Sequence, residues 1–133
     1  MKIFISGEVQ SEVGNVYRIA MLKIEQVFNA HLAEHRFGSG LVKIAYIAII
    51  RRIDTPTFDE VKKYRTREHS AEFRLKILFK DCLFADTAEM TRLVAASLHR
   101  AITLLKDMRI PDFDCDAFES EFLALAKSEN WLN

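Results

Sequence analysis

The sequence contains little proline, glycine or cysteine and has no excess of either charge. It has two prolines, four glycines and two cysteines, and its 19 Lys and Arg residues equal its 19 Asp and Glu residues in number. So little proline and glycine argues against long structureless linkers. A neutral total charge argues against a nucleic-acid-binding domain, because such domains are basic overall. No stretch approaches the roughly 20 consecutive apolar residues that a membrane span requires.

The two cysteines, Cys82 and Cys115, lie 33 residues apart and form no CxxC pair. This spacing argues against a disulfide-built secreted domain and against a four-cysteine zinc site. The apolar run near the start is too short for a signal peptide and is followed by Glu8. We therefore expect a cytoplasmic protein with reduced thiols, no membrane contact and one domain over residues 1–133.

Hydrophobic patterning predicts a strand, a helix and a second strand in the first part of the chain. Residues 2–9 are rich in β-forming side chains, and apolar residues recur at steps of three and four from Val13 to His31. We expect Gly38-Ser39-Gly40 to end that helix. Residues 41–52 carry apolar side chains on both alternating faces, which predicts a central strand covered from both sides.

The middle of the chain is polar before it alternates again. Residues 57–70 are strongly charged and predict a long loop or a projecting ribbon. From Ala71 to Phe79 apolar and charged residues alternate, which predicts a half-buried strand with one solvated face.

Two helices are predicted in the last part. Asp86 stands at the N-cap position of a helix over 88–108, and Pro111 ends it. A last helix follows, with Asp114 or Asp116 as its cap. The resulting order, β-α-β-β-α-α, predicts a single α+β domain in which helices pack on a small mixed or antiparallel sheet.

The segment His31-Leu32-Ala33-Glu34-His35 matches the H-x-x-E-H spacing that places two histidines on one helix face as zinc ligands. Both histidines fall within the apolar stripe near the helix end, where an imidazole can satisfy terminal carbonyl groups. A zinc site also needs a third ligand, and the sequence marks none. We therefore predict no catalytic residue, no metal and no cofactor.

Charge is distributed unevenly along the chain. Residues 1–80 hold 14 cationic and 9 acidic side chains, whereas residues 81–133 hold 5 and 10. Solvation and intramolecular pairing explain most such clusters, but clustered charge also steers a complementary partner. We therefore predict two candidate partner-binding sets. The basic set is Arg51, Arg52, Lys63, Arg65 and Arg67, and the acidic set is Asp112, Asp114, Asp116, Glu119 and Glu121.

Several segments of the chain resemble bacterial immunity protein family 44. These are the opening Lys2-Ile3-Phe4-Ile5-Ser6-Gly7-Glu8-Val9, Gly38-Ser39-Gly40 before a strand, and residues 45–52, 71–77 and 98–105. Proteins of this family are encoded beside polymorphic or contact-dependent toxins, many of which are nucleases, and they neutralise the toxin domain by binding it. The resemblance implies a small cytoplasmic binder of a cognate toxin C-terminal domain that has no catalytic activity and no direct contact with nucleic acid.

Other interpretations stay open at this point. One is a small metal-dependent hydrolase that uses His31 and His35, or a nucleoside-type transferase that uses Glu8. Another is an RNA-binding regulator that uses the basic region 51–76, where Tyr64 could stack on a base. If the chain inhibits a nuclease, the acidic set could occupy the phosphate-binding cleft, and the basic set is the competing contact surface.

Overall fold

A computed structural model describes residues 1–52 and 60–132, and its secondary structure is α+β, as the sequence predicts. The strands are β1 (Lys2–Val9), β2 (Lys43–Ile50), β3 (Val61–Arg65) and β4 (Ser70–Lys76). The helices are α1 (Ser11–Leu32), α2 (Phe79–Cys82), α3 (Thr87–Asp107) and α4 (Cys115–Ser128), with a 3₁₀ turn at Thr66–Glu68. None of the described helices is long and apolar enough to cross a membrane.

The strands form a mixed sheet in the order β1-β2-β4-β3. β1 is parallel to β2 and β2 is parallel to β4, while β3 is antiparallel to β4. Parallel neighbours need a long crossover, and α1 supplies it between β1 and β2. The prediction of a small mixed sheet packed by helices is therefore confirmed.

The two faces of the sheet differ in what covers them. We call the face covered by α1 and α3 the inner face, and its side chains join the buried apolar core, with α4 packed on α3 and α1. The opposite face, the outer face, carries the intervening side chains of each strand. These are Lys2, Phe4, Ser6, Glu8, Lys43, Ala45, Ile47, Ile49, Val61, Lys63, Arg65, Ser70, Glu72, Arg74 and Lys76.

The outer face of the second strand is covered only in part. Ile49, at the end of that face, is 2% exposed, as the prediction of a strand covered from both sides requires. β2 is central, but no helix within the described ranges packs against Ala45 and Ile47, and Phe4 beside them is 48% exposed. The register places Ala45 between Phe4 and Glu72, and Ile47 between Ser6 and Arg74. Ala45 and Ile47 are therefore half-buried because they lie between two strands, and no described helix covers them.

The prediction that Gly38-Ser39-Gly40 ends the first helix is also wrong, because α1 ends at Leu32. These glycines instead let the chain approach the loop between α3 and α4. A Cβ atom on Gly40 would lie 1.6 Å from the Pro111 carbonyl oxygen, and Gly38 has φ of 110° with a similar clash against Asp112. The Gly40 amide donates to the Asp112 carbonyl at 2.9 Å.

The charged region predicted as a loop or projecting ribbon contains a strand at the edge of the sheet. β3 pairs with β4, and the Tyr64 hydroxyl donates to the Gly40 carbonyl at 2.9 Å, which fastens the strand to the sheet. Residues 57–59 of the predicted loop lie outside the described residues. The predicted strand over 71–79 ends at Lys76, and Phe79 instead begins the short helix α2, which the sequence analysis did not predict.

Side chains of α1 satisfy the free edge of β1. Asn29 accepts from the Ile3 amide and donates back to the Ile3 carbonyl, both at 2.8 Å, and Glu25 accepts from the Ile5 amide at 2.6 Å. An edge whose amides are already bonded cannot template another strand. α1 therefore closes this edge of the sheet as well as covering its inner face.

The predicted helix caps are present at α3 and α4. Asp86 accepts from the Glu89 amide at 2.8 Å, and Asp114 accepts from the Ala117 amide at 3.0 Å. α3 spans Thr87–Asp107, which agrees with the predicted 88–108 to within one residue at each end.

Replacing Leu98 with Ala should lower the free energy of unfolding by about 2–5 kcal/mol, because the change removes buried methyl groups and leaves a cavity. Leu98 is fully buried in α3, whereas Leu123 in α4 is 38% exposed and provides the control substitution. Chemical denaturation of both variants measures the difference. A loss below half a kcal/mol for Leu98→Ala would show that this face of α3 does not form the core.

Candidate partner-binding surfaces

The outer face has an excess of positive charge. Over the described strands it carries six Lys or Arg side chains and two carboxylates, those of Glu8 and Glu72. Arg74 contacts Glu8 at 2.7 Å and Arg51 contacts its other oxygen at 3.1 Å, while Arg65 lies 3.9 Å from Glu72. Arginines therefore neutralise both carboxylates, and Lys2, Lys43 and Lys63 give the described part of this face its positive excess.

An apolar group lies within this charged face. Phe4 is 48% exposed, with Ala45 and Ile47 half-buried on the next strand. The Lys43 ammonium lies 5.1 Å from the centre of the Phe4 ring, within the range of a cation–π contact. Exposed aromatic side chains with a charged surround are typical of the centre and rim of a protein interface.

The structure brings together only part of the basic set. Lys63 and Arg65 lie on the outer face, and Arg51 joins it through Glu8. Arg52 instead pairs with Glu12 at the start of α1, and Arg67 lies in the exposed 3₁₀ turn beyond β3.

The acidic set lies on the helical side of the molecule, and its first two members hold loops in place. Asp112 accepts from the Ser39 amide at 3.0 Å and also contacts the Ser39 hydroxyl. These hydrogen bonds lower the pKa of Asp112. Asp114 is the N-cap of α4.

Two further members of the acidic set share one cation. The Lys106 ammonium lies 2.6 Å from Glu119 and 3.3 Å from Asp116, and the His99 Nε2 atom lies 3.2 Å from Glu119. The hydrogen bond from Lys106 outweighs burial and lowers the pKa of Glu119. The Asp116 side chain is nevertheless 89% exposed. Whether this set binds a partner stays a prediction.

The remaining acidic residue, Glu121, faces both histidines of the H-x-x-E-H segment. Its Oε2 atom lies 2.8 Å from His31 Nε2 and 3.4 Å from His35 Nε2. The His35 Nδ1 atom lies 2.9 Å from the His31 carbonyl oxygen, which is the helix-end contact that the sequence predicts. Glu121 is a third group with ligand chemistry, and the sequence does not mark it because it lies 90 positions from His31.

Phe4 and Lys43 were not among the predicted site residues. The exposure of Phe4 could have been predicted from the alternation of β1. Ile3 and Ile5 are buried on one face, so Phe4 between them lies on the opposite face. Lys43 becomes its neighbour only through the register between β1 and β2, and no local pattern specifies that register.

Comparisons with known proteins agree with the segment resemblance. A family model described as Immunity protein 44 matches residues 1–128. No curated protein and no solved structure matches the chain. The family match includes all four strands and extends to the last residue of α4, so it covers both charged sets.

Replacing Asp112 with Asn should lower the melting temperature at pH 7, because Ser39 loses a charged acceptor. The pKa of Asp112 is lowered in the folded protein, so its carboxylate stabilises the fold above the unfolded pKa of about 3.9. That contribution is lost as the pH falls through the folded pKa, and the two melting temperatures should then converge. Thermal unfolding from pH 7 to pH 2.5, with exposed Asp107→Asn as the control, tests this. Equal melting temperatures at pH 7 would contradict it.

Proposed function

The chain belongs to the immunity protein 44 family, and from this premise we propose that it binds and neutralises a cognate bacterial toxin domain in a stoichiometric complex. The observation that carries the proposal is the family match over residues 1–128, nearly the whole chain. We further propose that the protein acts in the cytoplasm by binding alone, without catalysis, and that the toxin domain is a nuclease.

The outer face is the contact surface that we propose. It exposes Phe4 together with Lys2 and Lys43, and its positive excess complements an acidic partner. The closed edge of β1 supports a contact made by side chains of the face, because strand addition there would have to displace Asn29 and Glu25.

The charge of the outer face also specifies where on a nuclease it would bind. A nuclease cleft holds phosphates and is therefore lined with Lys and Arg, which would repel this face. The complementary site is an acidic surface beside the cleft. An inhibitor bound there can exclude a long nucleic acid substrate by its bulk, without entering the cleft.

The acidic set is the competing surface, since its carboxylates could take the places of phosphates in the cleft. Its members already have intramolecular partners, however. To bind Glu119, the toxin would have to compete with Lys106, whose ammonium lies 2.6 Å from the Glu119 carboxylate. To bind Asp112, it would have to break the hydrogen bond from the Ser39 amide. A toxin that bound these carboxylates would therefore have to replace contacts that they already make within the fold.

The double substitution Lys43→Glu/Lys63→Glu should slow association with the toxin domain encoded beside this chain's gene and raise the dissociation constant at least about tenfold. Reversed charge on a complementary surface lowers the association rate and weakens its dependence on salt. The matched control is Lys23→Glu/Lys80→Glu, which makes the same charge change at exposed positions away from the outer face. Surface plasmon resonance at two salt concentrations measures both.

The outcomes distinguish an error in the proposed function from an error in the proposed contact surface. If the native protein does not bind or neutralise that toxin domain, the proposed function is wrong. If Lys43→Glu/Lys63→Glu binds like the control while Asp116→Lys binds weakly, the acidic set is the contact surface. Equal circular dichroism spectra and melting temperatures of the variants would show that they remain folded.

A further inference from the structure

Two histidines and one carboxylate converge where the end of α1 meets α4. His31 lies in the last turn of α1, His35 lies in the turn that follows, and Glu121 projects from the middle of α4. One ligand atom from each of these three residues lies within 4.8 Å of the other two. Glu34, the acidic residue of the H-x-x-E-H segment, is exposed and is not a member of this group.

Hydrogen bonding determines which nitrogen of His35 carries a proton. A carbonyl oxygen only accepts, so the Nδ1 atom of His35, 2.9 Å from the His31 carbonyl, must donate. Neutral His35 then has a lone pair on Nε2, and this atom faces Glu121 Oε2 at 3.4 Å. Two lone pairs facing each other at this distance repel, and either a proton or a metal ion between them removes the repulsion. The same Nδ1 contact orients a metal-binding imidazole in many proteins.

The distances in this group are close to those of a tetrahedral zinc site. Zinc bonds of about 2.0–2.2 Å to nitrogen and oxygen place neighbouring ligand atoms about 3.4 Å apart. The separation of His35 Nε2 from Glu121 Oε2 is 3.4 Å and that of His31 Nε2 from the same oxygen is 2.8 Å. To bind zinc, the separation of His31 Nε2 from Glu121 Oε2 would have to increase by only about half an ångström.

The surroundings fit three protein ligands and one water molecule. The side chains of His31, His35 and Glu121 are 26%, 32% and 32% exposed, so one side of the group is open to solvent. Another side is bounded by an aromatic ring, since Phe37 stacks on His35 with the ring centres 6.2 Å apart. Imidazole nitrogen favours zinc over magnesium and calcium, which prefer oxygen ligands.

We propose that His31, His35 and Glu121 form a zinc site that fastens the end of α1 to α4. The sequence predicts no metal because it marks no third ligand, and the position of Glu121 removes that reason. The ligands are close only in the folded chain, so zinc should bind the folded state preferentially and stabilise it. This site lies on the helical side of the molecule, away from the outer face, and does not depend on the proposed function.

The test starts from full-length protein treated with EDTA and then freed of the chelator. Isothermal titration with Zn²⁺ at pH 7.5 should show one site per chain, and the melting temperature should rise with Zn²⁺ concentration. Co²⁺ should give the strong visible absorption of a tetrahedral site with nitrogen and oxygen ligands. His35→Gln and Glu121→Gln should each weaken Zn²⁺ binding at least about tenfold and abolish the rise in melting temperature.

The chain offers a matched control in His99, which faces Glu119 at 3.2 Å but shares it with Lys106. His99→Gln should bind Zn²⁺ like the native protein. Using two separate ligand variants keeps the test decisive if one of them fails to fold. The proposal is overturned if native protein binds no stoichiometric Zn²⁺, or if its melting temperature is unchanged by Zn²⁺. It is also overturned if the folded ligand variants bind as tightly as His99→Gln.

Discussion

The parallel pairing of β1 with β2 is the constraint on which the rest of the structure depends. Parallel strands require a crossover, and here the crossover is the 22-residue helix α1. That helix covers the inner face, and Asn29 and Glu25 also bond the outside edge of β1. Because α1 and α3 lie on the same side, no described helix covers the outer face at Phe4, Ala45 and Ile47, and α4 packs on the helices.

This arrangement separates charges that the sequence only partly separates. Except for Lys62 of the edge strand β3, the lysines and arginines of the four strands lie on the outer face because the inner positions are apolar. The carboxylates of the α3–α4 loop and of α4 collect on the helical side, where most of them hold loops or pair with Lys106 and histidines. One side of the molecule therefore carries more cationic than acidic side chains, while on the other side most carboxylates have partners within the fold.

Features specified by local signals could be predicted from the sequence. α3 has a capping aspartate and a strong apolar stripe, so its span was predicted to within one residue at each end. β2 was predicted as central from its apolar run.

The features that were missed depend on distant contacts. Gly38 and Gly40 resemble a helix end, but they are required by Pro111 and Asp112, more than 70 positions away. β3 is charged like a loop, yet it is paired with β4.

The candidate sites show the same limit. The distribution of charge along the sequence identified two charged sets. Only the register of the sheet shows that Phe4 and Lys43 share one face with Lys63 and Arg65. The histidine spacing was visible in the sequence, whereas its carboxylate partner required the packing of α4 on α1. Sequence patterns therefore identified residue types, and the tertiary structure decided which of them are neighbours.

The central claim is that the outer face, and not the helical side, contacts the toxin domain. Covalent labelling of lysine side chains, read by mass spectrometry with and without that domain, tests it most directly. If the outer face contacts the toxin domain, Lys2, Lys43 and Lys63 should be protected in the complex while Lys23, Lys80 and Lys127 react at unchanged rates. Unchanged labelling of the first three, together with protection of lysines on the helical side, would contradict it.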